Sequence, residues 1–218
     1  MSRPNERQHS PRIRRKRLQA RQEILAAARR ILRKQGIEGV TLAAVAGALG
    51  MTKQAIYHYF PSKDALILGL VTALLDDEIE ALTAALELHD GPQGLLGTLV
   101  RAFYDHYISR LDAFRVVYCQ TQLGPASAIS LDRESIHEEI NPRTRHLFDI
   151  LESRLAKDGS GQAARQRARR LAFTAWTSVL GLLTMLSIAD ATGDPLAHRD
   201  ADLVDTLVEV FDSAATVR

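Results

Sequence analysis

Between Val40 and Pro61 two helical periods stand back to back, each too short to survive alone, with one glycine between them: VTLAAVAGALGMTKQAIYHYFP. Isolated helices shorter than about 12–15 residues are marginal in water, so these two must be held by packing. In the first, Leu42, Val45, Ala46 and Leu49 fall at three- and four-residue intervals, which gives a narrow apolar face. Thr41 stands where a hydroxyl can accept a hydrogen bond from the first turn, and Ala46 and Gly47 are small enough for close helix contact. Gly50 can take the left-handed conformation that other residues adopt at a cost, and Met51 can plug the corner. Thr52 then caps a second helix anchored by Ala55 and Ile56. Two short helices joined by a tight glycine turn make a helix-turn-helix.

No stretch of the 218 residues sustains strand alternation, and β-branched residues are scattered, so the expected fold class is all-α. Residues 1–17 are polar and basic, without a periodic apolar face, and read as a disordered arm. From Leu18 the pattern is helical, with Ile24, Leu25, Ala28, Ile31 and Leu32 on one side, and Gly36 and Gly39 end it in a turn. Residues 18–64 form the helix-turn-helix unit and 65–218 a larger helical body. Its first helix, capped by Ser62, is expected to run to about Leu88, followed by helices over about 95–110 and 113–123. A polar connection extends to about Asp132 and leads to a short amphipathic piece. Asn141-Pro142 reads as an N-cap followed by a first-turn proline, opening a helix that ends near Gly159. Two more helices occupy about 162–191 and 200–214.

The formal net charge of +2 conceals an asymmetry: residues 1–63 hold 14 Lys/Arg against 3 Asp/Glu, whereas residues 64–218 hold 14 against 23. A basic end on an acidic body points the first part at a polyanion. A helix fits a major groove about 12 Å wide, and the side chains just after the Thr52 cap, Lys53 and Gln54, are best placed to reach base edges. Gln pairs bidentately with adenine and Lys favours guanine acceptors. Tyr57, His58, the threonine hydroxyls and Lys63 suit phosphate or sugar, while Ile56 and Phe60 hold the helix to the core. Arg12, Arg14, Arg15, Lys16 and Arg17 add general phosphate affinity, unless they only solubilise the arm.

Thr41, Val45-Ala46, Leu49-Gly50, Thr52, the run Ile56-Tyr57-His58-Tyr59-Phe60, Ser62-Lys63 and Leu66 together resemble the DNA-binding segment of TetR-family (tetracycline-repressor-like) transcriptional regulators. With Ile24, Ala27-Ala28 and Gly36 the likeness covers about a quarter of the chain. The resemblance implies an N-terminal three-helix helix-turn-helix DNA-binding domain on a C-terminal helical ligand-binding and dimerisation domain. It places Thr41, Thr52, Tyr57, His58 and Lys63 at the DNA backbone or groove and Lys53 and Gln54 at the bases. Both threonines are also helix caps, so their hydroxyls can serve the protein instead. The implied function is a ligand-responsive regulator, more often a repressor, bound as a homodimer to a palindromic double-stranded DNA operator and released by a small-molecule effector. The alternative is a helix-turn-helix interaction protein that acts through its body without operator-specific binding.

In the body the sequence is less specific. Leu171 to Ala189 is nineteen residues without a charge, near the length of a membrane span, yet it carries five hydroxyl side chains and continues from QAARQRARR. A helix buried on most sides in a core or subunit interface is the expectation, with no membrane partner. Val179, Leu183 and Leu186, with Leu203, Leu207 and Phe211 of the last helix, are the candidates for a four-helix dimer seam. Phe103, Tyr107, Tyr118, Gln122, Phe173 and Trp176, with Tyr104, Phe114 and Phe148, could line an effector cavity, although such aromatic stripes commonly just pack. Tyr107, Tyr118 and Gln122 stand out because their polar tips need partners if buried. His106, His137, His146 and Glu138 lack a compact metal-ligand spacing, and no phosphate loop or nucleophile elbow occurs, so neither a cofactor nor catalysis is expected. The lone Cys119 and a basic N-terminus without an apolar signal core fit a reducing, cytoplasmic setting.

Overall fold

The computed structural model describes residues 11–120, 131, 133–156, 161–196 and 198–216, and all regular structure among them is helical. The chain divides between Leu70 and Val71 into two compact units.

The first unit contains α1 (Pro11–Gln35), a 3-10 turn (Ile37–Gly39), α2 (Leu42–Leu49), α3 (Lys53–Tyr59) and the start of α4 (Lys63–Glu87). Residues 11–17, read from sequence as the end of a disordered arm, are the first turns of α1; residues 1–10 lie outside the described residues. Pro11 suits a first helical position, and Arg, Lys, Leu and Gln are good helix formers, so those turns form although residues 11–19 are all exposed. Farther along, α1 turns Ile24, Ala27, Ala28, Ile31 and Leu32 inward. They meet a core that includes Val45, Ile56, Phe60 and Leu66, each at most 1 % exposed. Full burial of one such large side chain contributes about 1.5–3 kcal/mol. Gly47, expected at a close helix contact, is exposed with open space beside it.

The second unit takes in the rest of α4 with α5 (Leu95–Tyr107), α6 (Leu111–Phe114), α7 (Arg133–Ser135), α8 (Asn141–Leu155), α9 (Gln162–Thr192) and α10 (Asp200–Thr216). Leu96, Leu99, Val100, Phe103 and Tyr107 of α5 are all buried, and α5 packs against both α9 and α10, while α8 lies along α9. At the α5–α10 crossing the Gly97 amide donates to Asp212 Oδ1 at 3.1 Å, and a Cβ there would stand 2.4 Å from that oxygen. Among the described residues two segments are π-wound, Arg115–Gln120 after α6 and Ile136–Ile140 before α8. The second one corrects the expected cap at Asn141: its backbone is already helical and its amide donates to Ile136 O, five residues back. The wide turn meets α8 directly, so Asn141 has no helix start to cap. Helix α8 also ends at Leu155, short of the expected Gly159. There Arg154 donates to the carbonyls of Leu86 and His89, filling acceptors at the end of α4.

Helix α9 is long and apolar enough to cross a membrane by length and composition, yet only 33 % of its most apolar window is buried within the chain. Ala168, Ala172, Ala175, Val179, Leu183 and Leu186 form the buried stripe, where small residues allow close approach to neighbouring helices. Phe173, Met185 and Ile188 stand outward, each more than half exposed. The expectation of burial on most sides is therefore not met within one chain.

Candidate functional site

Three local hydroxyl caps build the first candidate site. Thr41 Oγ1 accepts from the Ala44 amide at 3.1 Å, Thr52 Oγ1 from Ala55 at 3.2 Å, and Ser62 Oγ from Ala65 at 3.0 Å. Gly50 closes α2 at φ 63°, and the Met51 amide reaches back to Ala46 O at 2.9 Å. That backbone reversal needs the left-handed conformation, which glycine adopts freely. In α3 Ile56 is fully buried and Phe60, at its C-cap, is 1 % exposed. At about 100° per residue, Lys53, Tyr57, Gln54 and His58 share an arc of about 140° opposite this anchor. All four are exposed, as is Thr52, while Thr41 and Lys63 are half-buried. The Lys53 ammonium lies 5.7 Å from the Tyr57 ring centroid. The result is a short cylinder bolted down on one side and polar and cationic on the other.

Sequence reading missed Arg21. Its Nη1 donates to Tyr59 O at 2.9 Å, and its guanidinium lies 4.3 Å from the Phe60 ring centroid. Tyr59 O is among the end carbonyls of α3 that have no partner within their own helix. The clamp thus fixes α3 from α1, 38 residues away in the chain. The available signal was positional: Arg21 sits one turn before Ile24, on the face of α1 that turns inward.

The second candidate site is a cavity of about 900 Å³ in the second unit. Its inner wall is apolar and aromatic, with Leu75, Val117, Tyr118, Phe148 and Trp176, and Phe173 stands beside them. Asn141, Thr144, Arg145, Gln166, Arg169 and Arg170 supply its polar lining. Of the residues expected there, Tyr118, Phe148, Phe173 and Trp176 line it. Phe103 and Tyr107 do not: both belong to α5, are at most 1 % exposed, and sit behind Tyr118 with ring centroids 5.7 and 5.9 Å from it. Gln122 lies outside the described residues. The arginines were unreadable as site residues because a charged helix start reads like any solvated face.

Behind Tyr118 lies Glu78, 1 % exposed and not part of the lining. Tyr107 donates to its Oε2 at 2.5 Å, and Tyr118 donates to the same carboxyl at 2.8 Å. Burial raises the carboxyl from 4.5 to about 7, against the lowering effect of the two phenol donors. Both phenols are raised in turn, first by burial and then by the Glu78 charge. His106 is lowered to about 4 by burial and by Arg110. Cys119 is half-buried with its thiol raised by burial, the opposite of an activated nucleophile. Among the described residues no three His, Cys, Asp or Glu side chains are gathered as metal ligands.

The expected dimer residues separate into two sets. Val179, Leu183, Leu186 and Phe211 are buried within the chain itself, so they have no surface to offer a second copy. Leu203 and Leu207 remain half-buried on α10. An apolar pattern nearly continuous around α9 had hidden which of its faces the chain's own helices would take.

A capped helix pair with a glycine corner, on an otherwise helical chain, defines the helix-turn-helix regulators. The profile of bacterial regulatory proteins of the tetR family matches residues 24–70, the segment that builds this unit. Residues 24–70 are thus a TetR-family DNA-binding segment, and over most of its length the chain is similar to transcriptional regulators. It is 26% identical to the HTH-type transcriptional regulator BetI of Brucella anthropi, over 74% of this chain and 78% of that protein. It is 22% identical to the nicotine-responsive transcriptional repressor HdnoR of Paenarthrobacter nicotinovorans, over 88% of this chain and 93% of that one. In fold it is similar to a TetR/AcrR-family regulator from Thermobifida fusca, with a TM-score of 0.62, 19% identity, and coverage of 92% of this chain and 100% of that one.

Proposed function

We propose that the chain is a ligand-responsive repressor that binds a palindromic operator as a homodimer and leaves it when a small molecule occupies the cavity of the second unit. Residues 18–64 act as the DNA-binding domain and 65–218 as the ligand-binding and dimerisation domain, in the cytoplasm. The observation that carries this reading is the outward arc of α3: Lys53, Gln54, Tyr57 and His58 are exposed while Ile56 and Phe60 anchor the opposite side. Lys53 and Gln54 read bases in the major groove. Thr41, Thr52, Tyr57, His58 and Lys63 meet phosphate and sugar, with the two threonines also capping their helices. One such helix reads few bases, so a two-fold pair on half-sites about 34–36 Å apart, or a multiple, supplies the specificity. The outward stripe of α9 with Met185 and Ile188, flanked by Leu203, Leu207 and Val210 of α10, is apolar enough to support a seam between two copies. The cavity, and a relative that responds to nicotine, support an effector. Effector binding biases two states by a coupling of about 1–3 kcal/mol.

Selection of bound fragments from a random DNA pool, followed by titration of the best fragment, tests this. The double variant Lys53→Ala/Gln54→Ala is expected to lose at least about 100-fold in affinity for the selected fragment while remaining a folded dimer. Equal competition by scrambled DNA against the wild-type complex would leave an interaction protein without operator-specific binding.

A further inference from the structure

Resting on the reading of this cavity as the effector site, we infer that its ligand is an anionic amphiphile: an apolar chain or ring body with a carboxylate or phosphate head. The cavity, at about 900 Å³, is near the upper end for ligand sites and far larger than an inorganic anion needs. Its wall of Leu75, Val117, Tyr118, Phe148 and Trp176 carries two hydrogen-bonding groups, and both are engaged within the protein: the Tyr118 hydroxyl donates to Glu78, and the Trp176 indole N–H bonds to Tyr118. The charge is elsewhere and of one sign. Arg145, Arg169 and Arg170 line the cavity, and among the described residues no Asp or Glu does. Arg169 is held by Asp149 at 2.8 Å and Glu152 at 3.1 Å. Arg145 and Arg170 are exposed, and neither has an acidic partner among the described residues. Two guanidiniums at a lipophilic cavity match a planar two-oxygen acceptor or a phosphate better than any neutral group.

The competing chemistry is a cation held among the aromatic rings. Ring faces in this cluster are already engaged with one another: Trp176 lies 5.6–5.9 Å from Tyr118, Phe148 and Phe173, in tilted and edge-on arrangements. A cation would also have to pass arginines of like charge, and Glu78, the only buried carboxylate among the described residues, is sealed behind Tyr118. Both features disfavour a cation and leave an anion favoured.

Trp176 is the chain's only tryptophan, so its fluorescence reports occupancy in the intact protein directly. The probes are decanoate, decyl phosphate, decan-1-ol and decyltrimethylammonium, each titrated below its micellar range. Either anion is expected to bind at least about tenfold more tightly than both the alcohol and the cation. Arg145→Gln/Arg170→Gln should bring anion affinity down to that of decanol and leave decanol unchanged. Raising salt about tenfold in the wild-type protein should weaken the anions alone, a measurement that needs no variant to fold. A cation that matches the anions, an alcohol that binds as well as they do, or affinity indifferent to both arginines and salt would overturn the inference. DNA release is read separately: an anion that binds as expected but leaves the selected fragment bound upholds the ligand class and refutes the regulatory reading.

Discussion

The two units of this chain solve packing in opposite ways. The first is small and closed. Val45, Ile56, Phe60 and Leu66 are sealed, its turns are capped within four residues of themselves, and its polar groups stand outward on α3. The second is built from longer helices, yet it keeps a cavity of about 900 Å³, a buried carboxyl and two π-wound segments. Uniform close packing is what the proposed DNA-reading role needs, because a misplaced side chain would forfeit base contacts. Incomplete packing and a buried titratable group each lower stability, and features of that kind gather at functional sites.

The largest expected effect would break the closed unit. Phe60→Ala removes a ring that anchors α3, receives the Arg21 guanidinium and lies against Gly69, where even a Cβ would come within 2.8 Å of it. A loss of about 3–5 kcal/mol in chemical denaturation is expected. A loss below about 1 kcal/mol would mean that this core is not close-packed.

Next in size is Glu78, which tests the second unit through pH. Its folded-state carboxyl, raised from 4.5 to about 7, binds protons more tightly than in the unfolded chain. Its contribution is therefore complete below about pH 4.5 and is lost as pH rises through about 7. The stability of wild type minus that of Glu78→Gln should fall by on the order of 2–3 kcal/mol between pH 5 and pH 8. His106, lowered to about 4, works in the reverse sense, adding stability as pH rises from about 4 to 6.5. It is common to both proteins and cancels in the difference. A pH-independent difference would show that Glu78 titrates normally.

The smallest effect sharpens the comparison at a single hydroxyl. Thr52→Ala removes the acceptor 3.2 Å from the Ala55 amide and should cost about 1 kcal/mol of stability. Thr52→Ser keeps the cap and should restore stability. If the serine variant is stable but binds the selected DNA fragment weakly, the lost methyl group is a DNA contact as well.

How far each unit was legible follows the range of its interactions. Thr41, Gly50, Thr52, Ile56 and Phe60 could be assigned in advance because caps, turns and helix faces are governed by neighbours up to four residues away. The start of α1 was misjudged because a run of arginines without an apolar face reads as solvated chain, while its helix propensity is high. In the second unit the aromatic residues were recognised but not sorted. Tyr118 and Trp176 face the cavity, whereas Phe103 and Tyr107 pack one layer deeper, a distinction set by which helix each belongs to.

By itself the amino-acid sequence determined an all-helical chain, a capped and glycine-cornered helix pair near its start, and the side chains that this pair turns outward. Only the tertiary structure decided that Arg21 clamps the end of α3, that one stripe of α9 is spent on the chain's own core, and that Arg145 and Arg170 stand beside an apolar cavity. The first group rests on hydrogen bonds and periodicities internal to one or two turns of backbone. The second depends on which helices meet and at what rotation, and many nearly equivalent apolar faces leave that choice open until the whole chain packs.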